Sequence, residues 1–97
     1  MFKNMTAKEI FELLGYELVE KDKEKIVYEK ELLTEYDAQC LIRISFHLDS
    51  QYYDASIAYH YIRSGHESKD GAAVSMQLLA AINKQVEELG WLNEQIR

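Results

Sequence analysis

The residues of this chain best suited to chemistry are three histidines, His47, His60 and His66, and one cysteine, Cys40. Imidazoles and thiolates bind metals or act as bases and nucleophiles, provided that partners converge on them. Their spacing does not bring that about. His47 and His60 fall on the polar face of two alternating strands, roughly six or more residues apart along the strand direction. At ~3.3 Å per residue this offset is about 20 Å, too far for a shared metal. His66 stands beside Glu67 in a polar stretch with no third ligand marked by the pattern. Cys40 lies on the apolar side of its strand, where cysteine packs as a small hydrophobe. There is no Gly-rich phosphate loop, paired-cysteine metal motif or nucleophile elbow. The expectation is a non-catalytic chain with no cofactor and no metal.

Arg43, Asp54 and Ser56 share the outer face of the same two strands, the arrangement of cross-strand polar pairs or of a binding rim. The seven tyrosines fit half-buried strands. Tyr53, Tyr59 and Tyr61 belong to a core-facing set. Tyr52 lies on the opposite side with Ala58 and Ile62, and alternation puts Val19, Val27 and Leu41 there too. An apolar cluster on an uncovered sheet face is a surface for a partner or a second copy. The expected interaction surface is therefore Val19, Val27, Leu41, Arg43, Tyr52, Asp54, Ala58 and Ile62.

These residues need strands to hold them and helices to complete a core. Thr6-Ala7-Lys8-Glu9 is a capping box, with Met5 and Ile10 at the staple positions. Ile10, Leu13 and Leu14 then form an apolar stripe with Phe11 at its margin. Gly15 supplies the left-handed stop and Tyr16 can pack back on Phe11. A helix is expected at 7–14. Strands are expected at about 16–20, 26–30, 39–48 and 52–62, and a loop at 63–74. A final helix at 76–89 is capped by Ser75 and stopped by Gly90-Trp91, with Met76, Leu79, Ile82, Val86 and Leu89 facing inward. Parity limits the turn between the third and fourth strands. Two residues, Asp49-Ser50, put Phe46 opposite Tyr53; four, Asp49 to Tyr52, put it opposite Ala55. The four-residue form is favoured, because Asp-Ser suits a type I′ turn poorly.

The expected fold is one two-layer α+β domain over 1–97: helix, four-stranded antiparallel sheet, helix, with both helices on one face. Seventeen acids against eleven Lys plus Arg give a net charge of −6, which disfavours nucleic acid as a partner. A single cysteine leaves no internal disulfide and fits a reducing compartment. No apolar run approaches the ~20 residues of a membrane span, and no secretory signal precedes the first helix. A cytoplasmic protein is the expectation, acting on a protein partner or on itself.

Thr6-Ala7-Lys8-Glu9-Ile10-Phe11-Glu12-Leu13-Leu14-Gly15-Tyr16 resembles the opening of small uncharacterised proteins encoded by phages and prophages of Gram-positive bacteria. Ala81-Ile82-Asn83-Lys84-Gln85-Val86-Glu87-Glu88-Leu89-Gly90-Trp91 resembles their closing helix. The resemblance covers about a third of the chain, and caps and core positions carry it. It implies a phage or prophage origin and assigns no functional residue. Two other readings stand beside the accessory-protein one: a small-ligand binder or enzyme using a tyrosine-lined pocket, and a nucleic-acid-associated protein.

Overall fold

The cap and stop residues read at the two helices take the expected places: Thr6 and Ser75 as N-caps, Gly15 and Gly90 with positive φ after the last turns. The computed structural model describes residues 3–33 and 38–91; residues 34–37 and 92–97, expected as connector and chain end, lie outside it. Its elements are α1 (Ala7–Leu13), β1 (Glu17–Lys21), β2 (Lys25–Leu33), β3 (Ala38–His47), β4 (Tyr52–Tyr61), β5 (Glu67–Gly71) and α2 (Met76–Glu88). The fold is α+β, with an open five-stranded antiparallel sheet in the order β1-β2-β3-β4-β5 and two helices. Two compact units divide it: Met1–Tyr16 with Val74–Arg97, and Glu17–Ala73.

In the helical unit, Thr6 caps α1 and both halves of the capping box form. The Thr6 Oγ1 accepts from the Glu9 amide at 3.2 Å, and the Glu9 carboxylate accepts from the Thr6 amide at 2.8 Å. At the other end Gly15 takes φ 93°. Its amide reaches Glu12 O at 3.0 Å and the Tyr16 amide reaches Phe11 O at 2.8 Å, the bond pair of a Schellman stop. The Phe11 and Tyr16 rings meet edge to face, centroids 5.8 Å apart. Ser75 caps α2, and Gly90, φ 76°, ends it. The helices touch, and the Glu88 carboxylate accepts from the Ala7 amide at 2.7 Å. A negative charge there also meets the positive end of α1's dipole.

Both helical stripes differ from the predicted ones. In α1 the buried residues are Ala7, Ile10 and Phe11, whereas Leu13 is 65% exposed. In α2 they are Leu78, Ala81, Ile82 and Gln85, and Met76 is 79% exposed. Each is an i, i+3, i+4 stripe, rotated from the expected one by about one position. Small Ala and polar Gln85 occupy buried places that a count of large apolar residues passes over.

In the sheet unit, the β3–β4 register places Phe46 opposite Tyr53, not opposite Ala55 as the favoured loop had it. The turn nevertheless contains four residues, 48–51. Gln51 adopts φ 56° and its amide bonds His47 O at 2.9 Å, so the Leu48–Gln51 pair opens. The next turn, 62–65, is built alike: Gly65 has φ 69° and its amide bonds Tyr61 O at 2.8 Å. Gln51 is thus a non-glycine residue at a position that suits glycine. Left-handed backbone costs an L-residue about 1–2 kcal/mol, partly offset by glycine's larger chain entropy. Gln51→Gly is expected to raise stability by about 0.5–1 kcal/mol, read as a higher urea midpoint at unchanged slope.

The stretch 63–74, expected to be a loop, contains β5, paired with β4 from Ser56↔Gly71 to His60↔Glu67. Glu-Ser-Lys-Asp-Gly is exposed throughout, so no apolar alternation announces it. Backbone pairing at an edge makes this strand. Its charges, like the bulge between Leu18 and Glu20 in β1, protect the edges of an open sheet.

The turn from β1 to β2 has neither Gly nor Asn. Asp22 makes it: one carboxylate oxygen accepts from the amides of Glu24 at 2.8 Å and Lys25 at 2.9 Å. These bonds, Lys25's first and Glu24's second, hold the Asp22 pKa below its ordinary value. The Thr6 amide and hydroxyl do the same for Glu9. A folded-state pKa below the unfolded one adds stability above the unfolded value, near 4, and that stability is lost as pH falls through the folded one. Asp22→Ala is therefore expected to lower the denaturation midpoint at pH 7 and to lower it less at pH 2–3. Chemical denaturation of both proteins at the two pH values measures the difference.

Even-numbered residues of β2 and β3 and odd-numbered residues of β4 share one face, where Ile26, Tyr28, Ile44 and Phe46 are buried. Phe46 is the centre, with ring centroids 6.3 Å from Tyr28 and 6.1 Å from Tyr53. No residue of β4 is buried: its middle is half-buried and its two ends are exposed. Tyr53, Tyr59 and Tyr61 keep the expected face, yet Tyr53 and Tyr61 are 39% and 38% exposed. Cys40 is buried on this face.

Candidate functional site on the outer sheet face

The opposite face is read most directly as rows across the strands. One row is Glu20, Val27, Ser45, Asp54, and beside it lies Lys25, His47, Tyr52. On the other side come Glu29, Arg43, Ser56, Gly71; then Glu31, Leu41, Ala58, Lys69; then Gln39, His60, Glu67. Strand alternation aims all these side chains to one side.

Of the expected interaction surface, the register gathers Val27, Leu41, Arg43, Tyr52, Asp54 and Ala58 on this face. Val19 sits at the β1 bulge and Ile62 in the turn after β4, both exposed. No continuous apolar patch results. Val27 and Ser45 are buried at the centre, flanked by the long side chains of the neighbouring rows. Paired polar groups separate the remaining apolar residues. Arg43 Nε donates to Glu29 at 2.7 Å. His47 Nε2 lies 2.7 Å from Asp54 Oδ2, and its ring stacks on Tyr52 with centroids 4.4 Å apart. His60 Nδ1 lies 3.2 Å from Glu67.

The histidines therefore sit in separate cross-strand pairs. His47 faces Tyr52 and His60 faces Gln39, eight β3 positions from His47, or about 26 Å at 3.3 Å per residue. The His66 ring lies against Tyr61, centroids 5.9 Å apart. Among the described residues no group of three or more His, Cys, Asp or Glu is placed to hold a metal.

A concavity lies on this face. A depression of about 530 Å³ lies over Leu41 and Ala58, with Glu31 and Gln39 on the β2–β3 side and His60 and Lys69 toward β5. It forms because Ala58 is short where its row neighbours, Leu41 and Lys69, are long. Its volume is in the range of small-molecule sites, but Tyr59 is the single tyrosine along it, so it is not tyrosine-lined. Glu31 and Lys69 end the row across the depression, and neither makes an ion pair or side-chain hydrogen bond among the described residues. Sequence reasoning missed both: it placed Glu31 in a connector and Lys69 in a loop.

Comparison of the chain with known protein families, with curated proteins and with solved structures finds no match. No helix among the described residues is long and apolar enough to cross a membrane.

Proposed function

We propose that this chain is a non-catalytic interaction protein, acting in the bacterial cytoplasm, that binds another protein or a second copy of itself through the outer sheet face. The depression over Leu41 and Ala58 carries this reading. It is an apolar floor with a polar rim, the pattern of a small protein-binding surface. Cys40 and Ser68 also line it, but among the described residues neither is hydrogen-bonded to His60 or Glu67, whose side chains pair with each other. The His60–Glu67 pair lies at its edge, with His60 46% and Glu67 76% exposed at the side chain, where water screens such a pair. An acidic net charge argues against nucleic acid. The resemblance of the two chain ends to phage and prophage proteins supports an accessory role in that setting. Phage structural or regulatory genes flanking this one would agree with it, and purely metabolic neighbours would not.

The test is affinity capture from the host with the wild-type chain, Ala58→Arg and Asn83→Arg. Asn83 is exposed on α2 and serves as the control. A partner lost with Ala58→Arg and kept with Asn83→Arg is the expected result. A partner set untouched by Ala58→Arg rules out this face, and a constant monomer mass by light scattering rules out self-association.

A further inference from the structure

The depression's row has a pattern of its own. Glu31, Leu41, Ala58 and Lys69 read acid, apolar, apolar, base from β2 to β5. Its two ends are three strand spacings apart, about 14 Å at ~4.8 Å each. Charged pairs form elsewhere on this face, yet Glu31 and Lys69 are without partners among the described residues, too far apart to pair with each other. Among the described residues, the row therefore holds one unpaired negative charge, an apolar floor and one unpaired positive charge, in line.

An extended peptide has the matching metric. Its side chains alternate, so positions i, i+2 and i+4 face one way, and four residues at ~3.4 Å span about 14 Å. We propose that the row takes an extended segment of a partner protein laid across the strands. Its basic side chain at one end pairs with Glu31, its apolar side chain two residues on sits over Leu41 and Ala58, and its acidic side chain two further on pairs with Lys69. This rests on the protein-interaction reading and names the partner's local chemistry. The matched charges set direction and register, and the apolar side chain contributes the burial. The depression is an open surface, so a short peptide alone binds weakly.

The test titrates the isotope-labelled chain with the terminally blocked peptide Lys-Ser-Leu-Ser-Glu and follows backbone amides by NMR. Shifts are expected at Glu31, Leu41, Ala58 and Lys69. Moving the leucine one place, in Lys-Leu-Ser-Ser-Glu, turns it away from the sheet and is expected to weaken binding at least fivefold. Glu31→Lys is expected to weaken the first peptide at least tenfold and to favour Glu-Ser-Leu-Ser-Glu instead. Lys69→Glu is expected to shift preference to Lys-Ser-Leu-Ser-Lys. Both positions are exposed, so the folded spectrum serves as the control for each variant. The proposal is overturned if millimolar Lys-Ser-Leu-Ser-Glu leaves these amides unmoved, or if Glu31→Lys leaves the peptide preference unchanged. A captured partner lost with Ala58→Arg but bound normally by Glu31→Lys overturns this inference while the interaction reading stands.

Discussion

Phe46→Ala is expected to destabilise the protein by about 3–5 kcal/mol. Phe46 is fully buried on β3, the middle strand of the sheet, between the rings of Tyr28 and Tyr53. Truncation removes a large apolar side chain and leaves a cavity whose walls are strand residues fixed by backbone pairing on both sides, Ile26 and Tyr53. Such walls relax little, which places the cost in the upper part of the range for core truncations. A chain of this size has total stability on the order of 5–15 kcal/mol, so the variant sits near the limit of folding. Urea denaturation followed by tyrosine fluorescence measures the loss. Tyr53→Ala, at a position 39% exposed, is expected to cost clearly less. Equal costs at the two positions would contradict the burial gradient along this face.

The second large effect is expected at Phe11→Ala, again about 3–5 kcal/mol. A helix as short as α1, Ala7–Leu13, does not persist by propensity alone. Its caps fix where it starts and stops, and packing keeps it. Phe11 is fully buried and holds the Tyr16 ring edge to face, so it joins the stripe to the helix stop. Leu13→Ala, two residues on but 65% exposed, is expected to change stability by about 0.5 kcal/mol or less. The contrast separates the observed stripe from the one that leucine periodicity implies, in which Leu13 would be the costly position.

These pairs show where sequence patterns were readable. Thr6 with Glu9, Gly15 with Tyr16, and Ser75 with Gly90 each state a local hydrogen-bonding need, and local chemistry meets it, so helix ends were legible to within a residue. The alternation of Cys40, Ile42, Ile44 and Phe46 was legible as a strand because a period of two is visible without knowing the partner strand, whereas Leu48, next in that series, falls in the turn. What escaped depends on long-range partners. Which side of a short helix is buried depends on what covers it, and Leu13 could not declare itself exposed. The β3–β4 register turned on Gln51 entering the left-handed region, which its residue type does not advertise. β5 has no buried side chain to create a period. Asp22 was a turn signal hidden in a charged run.

The candidate site was the least legible part. Parity put Leu41 and Ala58 on one face, and the register pairs them there. The polar ends of their row, Glu31 and Lys69, are neighbours of that floor only through pairing of β2 with β3 and β4 with β5. One came from a segment expected to be a connector and the other from one expected to be a loop, so no reading of side-chain patterns could join them. The depression itself follows from a short alanine between two long neighbours in a row that crosses strands.

The most direct measurement is methyl NMR of the labelled chain in complex with the partner captured through it. The expected result is that the methyl groups of Leu41 and Ala58 shift or broaden on binding while those of Leu78 and Ile82, buried in α2, stay in place. Unchanged Leu41 and Ala58 signals, with perturbation confined to α1 and α2, would contradict the assignment of function to the outer sheet face.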